Sequence, residues 1–171
     1  ALTAELGDTL RAPTKVQFYP YLSGERTPHN DSSVRAGFVG LHVATDRAEM
    51  TQAVLQGVSF AMRDSLEALR LTGAKLDTIL AIGGGARSSY WVEMLATVLN
   101  LKFELPEQGD FGAALGAARL AICGVTGASI EDVMTKPTVD KTIVPNATML
   151  DAYQLRYDQF HDNFPGWKTI Q

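Results

Sequence analysis

"TILAIGGGARSSYW" occupies residues 78–91, and its reading decides the fold. A β-prone apolar run ending at Ile82 meets three consecutive glycines, Gly83 to Gly85. Glycine loses more freedom on folding than any other residue, so three together need a reason in what the backbone must do there. Ser88 is a natural cap for a following helix that carries Trp91, Met94, Leu95 and Val98 inward and ends near Asn100. One reading is a strand, a bare loop and a helix N-terminus whose free amides point into the loop. That geometry suits a flat adenine and ribose against the backbone, with phosphate oxygens near the amides. The other reading is a tight strand-to-helix turn that serves packing alone.

Familiar nucleotide motifs do not decide between them. A Walker loop needs lysine then serine or threonine after its last glycine, and none is present. A G-x-G-x-x-G fingerprint begun at Gly83 meets Ser88 where its third glycine belongs. Asp110-Phe111-Gly112 spells the protein-kinase metal motif without the H-R-D loop and V-A-I-K strand that motif requires.

Outward from this stretch the chain alternates strand and helix. Asp46 and Glu49 form a variant capping box that opens a helix. Its apolar positions Met50, Val54, Val58, Met62, Leu66 and Leu69 recur at helical spacing, and Gly73 ends it. Residues 2–11 predict a short helix, Val16 to Tyr21 and Phe38 to Val43 short strands, and Glu25 to Arg35 a polar loop. After the glycine helix come a strand at Lys102 to Leu105 and an alanine-dense helix from Phe111 to Ile122, stopped by Gly124. Residues 129–134 predict a turn of helix and Val139 to Val144 an irregular or edge strand. A last helix at 148–163 carries Tyr153, Tyr157 and Phe160 on one face. This order predicts an α/β fold with helices covering a sheet. The small residues of the alanine-rich helix predict close packing.

The 171 residues suffice for one domain with a core, and 46% hydrophobic content excludes global disorder. A net charge of −4 argues against a nucleic-acid partner. The single cysteine, Cys123, permits no internal disulfide and no cysteine-rich zinc site. No apolar run approaches a membrane span, and no basic-then-apolar signal opens the chain, so a cytosolic (cytoplasmic) protein is expected.

Three segments read together narrow the choice. "YPYLSGERTPHND" (19–31), "IGGGARSSYWVEMLA" (82–96) and "GDFGAALGAARLA" (109–121) occur in this order and closely resemble the carboxy-terminal lobe of the FGGY carbohydrate kinases, and within them the xylulose kinases. The L-S-G-E-R-T-P-H run discriminates most, and the resemblance covers about residues 16–160. It implies the second lobe of an actin-like, RNase H-type fold, with ATP and sugar between two lobes. The reaction it implies is transfer of the γ-phosphate of ATP, with Mg²⁺, to D-xylulose, giving D-xylulose 5-phosphate and ADP.

By that resemblance Gly83, Gly84, Gly85 and Ala86 form the adenosine loop, and Ser89 stands where glycerol kinases place an asparagine near adenine. Tyr90 and Trp91 become helix core, and the alanine-rich helix packs beneath the nucleotide. In the family the phosphate loop, the catalytic aspartate and most sugar contacts belong to the first lobe, and no D-x-G-[ST] motif occurs in this sequence. The chain is therefore expected to be part of a longer kinase, lacking the N-terminal lobe and the β-meander that opens the second. Alone it is expected to be inert, with no catalytic residue and no metal ligand of its own. Exposed apolar surface and an open sheet edge are expected with it, and a homodimer or an accompanying chain to cover them.

Loop residues Arg26 and His29 are candidates for the cleft. The competing structural reading, which the residue types favour, has Glu25 and Arg26 fixing the loop as an ion pair. Asp110 caps the alanine-rich helix or orders magnesium-bound water, with capping the better fit. His42 and His161 lack ligand spacing. Other readings left standing are a gluconate, ribulose or polyol kinase of the same family, and a non-catalytic nucleotide-binding or oligomerisation module.

Overall fold

The computed structural model describes residues 2–107 and 112–170. A single 3₁₀ turn, Leu2–Leu6, opens the chain where a longer helix was expected; Gly7, at φ +79°, ends it. Strand β1 (Gln17–Tyr19) pairs antiparallel with β2 (Gly37–Val39), placing Phe18 opposite Phe38. The latter strand is shorter than its sequence suggested, and its continuation through Leu41 and Val43 is exposed. Helix α1 (Arg47–Leu71) starts as the capping box dictates, with Asp46 accepting from the Glu49 amide at 2.7 Å.

A β-α-β unit follows: β3 (Thr78–Leu80), a 3₁₀ turn at Gly84–Arg87, α2 (Ser89–Leu99) and β4 (Lys102–Pro106). Strands β3 and β4 are parallel, with Ile79 opposite Phe103, as a helical crossover requires. Beyond them lie α3 (Gly112–Thr126), the single turn α4 (Ile130–Val133), β5 (Val139–Ile143) and α5 (Leu150–Thr169). β5 is the edge strand, antiparallel to β4, so the sheet order is β3-β4-β5. Among the described residues no strand covers the other edge of β3.

The core joins α1, α2, α5 and β1. Tyr19, Phe60, Met94, Val98, Tyr153 and Phe160 are fully enclosed there. Tyr153, Tyr157 and Phe160 face inward as the spacing predicts. So does the inner face of α2, whose last turn closes at Asn100 in the left-handed region, φ +50°.

Four expectations need correction. The α1 stripe read as its core face is only partly buried, with Leu66 enclosed but Met62 42% and Leu69 46% exposed; the inward face also carries Gln52, Ala53, Leu55, Gln56, Gly57, Ser59, Phe60 and Asp64. Helix α3 runs past Gly124 to Thr126 and ends before Gly127, at φ +70°. It buries no residue and a side chain at Gly116 would meet open space; the expected close approach is made at its first residue, where a Cβ on Gly112 would come within 2.5 Å of the Ile82 side chain. Helix α5 continues through Pro165, because Phe164 and Trp167 on either side are held against Tyr19.

Candidate functional site

The glycine loop sits at the C-terminal end of β3, where α/β sheets place their ligands. Its three glycines have three different reasons. Gly83 has φ +83°, a conformation that L side chains avoid. A side chain at Gly85 would come within 2.8 Å of the Trp91 ring. At Gly84 neither reason applies: a Cβ there would meet nothing within 4 Å, and the residue faces outward. Among the described residues nothing therefore explains Gly84.

The loop does not run straight into α2. Its residues first make the 3₁₀ turn, with the Ala86 amide donating to Gly83 O at 3.1 Å and the Ser88 amide to Gly85 O at 3.2 Å. Ser88 then caps α2, its hydroxyl accepting from the Trp91 amide at 3.3 Å. Ser89 is exposed on the first turn of α2, next to this loop. Tyr90 is core, whereas Trp91 is half-buried and braces the loop: its indole Nε1 donates to Ser59 Oγ at 3.2 Å. Beside the loop lies an apolar cavity of about 240 Å³, walled by Met62, Ile79, Ile82, Gly85, Ala86 and Trp91. Its size and lining suit a flat apolar group, below the range of pockets that enclose a whole drug-sized ligand. Met62 was read as core in the sequence; here it is a cavity wall, a role that spacing along α1 does not reveal.

The loop between β1 and β2 forms a second constellation. The expected Glu25–Arg26 pair is absent: Glu25 Oε2 instead accepts from the His29 amide at 2.7 Å, capping the turn, and Arg26 is exposed. The His29 ring stacks on Phe164 with centroids 3.9 Å apart, and its Nε2 lies 3.8 Å from Asp64 Oδ2. Asp64 on α1 is 4% exposed. Its Oδ1 accepts from the Tyr157 hydroxyl at 2.7 Å and lies 3.5 Å from His161 Nδ1. Burial pushes the Asp64 carboxyl above the ordinary carboxylate value, opposed by the Tyr157 hydrogen bond and the two imidazoles. Burial and that same carboxylate push the Tyr157 hydroxyl up in turn. Sequence reading missed Asp64 and gave His161 no role, because their partners lie about ninety residues away in the chain.

Asp110 lies outside the described residues. Among those described, no group of three or more His, Cys, Asp or Glu is placed to hold a metal ion. No described helix is long and apolar enough to cross a membrane.

Comparison with known proteins fits this geometry. The chain is similar to the xylulose kinase of Escherichia coli (strain K12), 38% identical over 161 residues, which are 94% of this chain and 33% of that protein. A solved structure described as a "xyloylose kinase" from Brucella ovis superposes with a TM-score of 0.91 at 48% identity, covering 99% of this chain and 35% of that one. The xylulose kinase structure from Rhodospirillum rubrum gives 0.80 at 25% identity, over 99% of this chain and 34% of that one. The chain thus spans about one third of the length of these relatives. Its mixed α/β architecture matches the actin-like ATPase fold of the FGGY kinases. Residues 3–125 match the family described as the FGGY family of carbohydrate kinases, C-terminal domain. With most of its length inside that match, the chain belongs to the FGGY family of carbohydrate kinases.

Proposed function

We propose that this chain is the adenosine-binding lobe of a kinase that transfers the γ-phosphate of ATP to D-xylulose, giving D-xylulose 5-phosphate and ADP. One observation carries the reading: Gly84, which neither φ nor any neighbour among the described residues requires, stands beside an apolar cavity at the end of a parallel strand. A ligand lying flat on the backbone supplies the missing reason. The similarity to xylulose kinases supports D-xylulose as the acceptor.

Gly83, Gly84, Gly85, Ala86 and Ser89 would hold the adenosine. ATP, when bound, supplies the phosphoryl group. This chain's part is to orient the nucleotide and exclude water from its base, since phosphoryl transfer depends on positioning and charge neutralisation. On the family resemblance, the Mg²⁺ ligands and the base would belong to the rest of the longer protein. The 171 residues alone are then inert.

The open edge of β3 and exposed Leu80, Ile82 and Leu120 support docking against further protein, either the rest of the kinase or a second copy. Sedimentation of the 171-residue chain separates these: self-association favours the copy.

In the full-length protein Gly84→Val should abolish ATP binding measured by calorimetry, because a branched side chain fills the space assigned to the base. Unchanged binding overturns the loop assignment. A sugar panel then tests the acceptor, and turnover by the isolated 171 residues would overturn the inert-lobe reading.

A further inference from the structure

The β1–β2 loop is held at many points, yet it leaves its one tip cation free. Glu25 and Asp31 exchange backbone hydrogen bonds at 2.8 and 2.7 Å, closing residues 25–31 into a ring. Asp31 Oδ1 accepts from the Ser33 amide at 2.8 Å, and Lys168 Nζ lies 2.6 Å from Asp31 Oδ2. These partners hold the Asp31 carboxyl well below the usual carboxylate range. Trp167 Nε1 donates to Arg35 O at 3.1 Å, and His29 stacks on Phe164, its Nε2 3.5 Å from the Tyr21 hydroxyl and 3.8 Å from Asp64 Oδ2.

Both carboxylates of the ring are therefore engaged with groups other than Arg26. Arg26 is exposed and makes no side-chain hydrogen bond or ion pair among the described residues. A guanidinium is all donor and always charged, with a fork that matches phosphate oxygens.

The tip is also well placed. Thr27 O, next to Arg26, accepts from Ser65 Oγ at 3.1 Å. Ser65 is one turn along α1 from Met62, which walls the glycine-loop cavity. Residues three apart on a helix are surface neighbours, so the loop tip and the glycine loop share one side of α1.

We propose that Arg26 binds a phosphoryl group in the cleft, and that Asp64, acting through His29, is the positioning residue that holds the arm carrying it. This rests on the kinase reading above. The phosphoryl group has two sources, the γ-phosphate of ATP or the phosphate of the sugar product, and the shared chemistry is a tetrahedral dianion.

The test uses the full-length enzyme and calorimetry with ATP, ADP and the sugar phosphate. Arg26→Gln is expected to lose on the order of tenfold or more in affinity for one phosphoryl-bearing ligand, as for a lost charge-assisted hydrogen bond. ADP affinity stays unchanged. A loss confined to ATP assigns the γ-phosphate, and a loss confined to the sugar phosphate assigns the acceptor side. Arg26→Lys restores part of the affinity. Asp64→Asn weakens the same ligand, and adding it to Arg26→Gln causes no further loss, a non-additivity that a general destabilisation would not produce.

Unchanged affinity for all three ligands in Arg26→Gln overturns the Arg26 assignment and leaves the nucleotide loop standing. Additive losses overturn the positioning role of Asp64. A parent enzyme that binds neither nucleotide nor sugar phosphate overturns the kinase reading and this proposal together.

Discussion

The two ends of this molecule obey different rules. Around α1, α2 and α5, large side chains such as Tyr19, Phe60, Met94 and Phe160 are enclosed by contacts the chain makes with itself. Around β3 and α3 the composition is just as apolar, yet α3 buries nothing and Val125 is 86% exposed. Sequence hydrophobicity alone does not tell these regions apart. The difference lies in whether the described residues supply the matching surface. Isolated apolar residues at a surface are ordinary, but a whole apolar helix with no buried residue is the surface on which the proposed docking rests.

The comparison breaks if both regions respond alike to mutation. The largest effect belongs to the enclosed side. Phe160→Ala removes a ring that meets Tyr19 at 4.8 Å and Phe60 at 5.4 Å. It should cost ~3–5 kcal/mol in denaturant unfolding of the isolated chain. Next comes Tyr157→Phe, which deletes the one hydroxyl donating to buried Asp64. A loss of ~1–3 kcal/mol is expected by the same measurement, because the carboxylate is left without that partner.

A third probe is alkaline pH. Burial, helped by Asp64, pushes the Tyr19 hydroxyl from 10.0 up to about 12. A group whose folded pKa is raised contributes stability that is complete below its unfolded value and is lost as pH rises through the folded one. The enclosed region should therefore hold to pH ~10 and loosen progressively toward pH ~12, tracked by tyrosinate absorbance against circular dichroism. Tyrosine ionisation that precedes any loss of structure would contradict the buried placement. The smallest effect is expected on the open side. Leu120→Ser, on the uncovered face of α3, should change stability by less than ~0.5 kcal/mol in the isolated chain. A loss comparable to Phe160→Ala would abolish the distinction.

Local chemistry made most of the elements legible. Asp46 with Glu49 and Ser88 with Trp91 are caps whose donors lie three residues away, so the sequence carries both partners. The inward face of α1 was not legible for the opposite reason. Gln52 donates to Ala12 O, Gln56 pairs with Thr14, and Ser59 accepts from Trp91, each across 32 or more residues. Distant partners satisfy these polar groups, which lets them be buried where periodicity favours the Met62 stripe. Arg26 and Glu25 failed for a local reason: adjacency suggested a pair, but the His29 amide four residues on offered Glu25 a better-placed donor. The glycine loop was legible as a bare turn, while the separate reasons for its three residues appear only with φ and Trp91 in view.

The clasp between the two ends of the chain also bears on the order in which the protein is made. Tyr19 donates to Phe160 O across 141 residues, and Tyr153 and Arg156 reach Arg11 O and Thr14 O across 142. On the ribosome residues 11–39 emerge well before α5, the helix that seats them. The β1–β2 arm, with Arg26 at its tip, must wait unseated while the intervening residues 40–149 are made, its aromatic side chains open to wrong partners until α5 arrives.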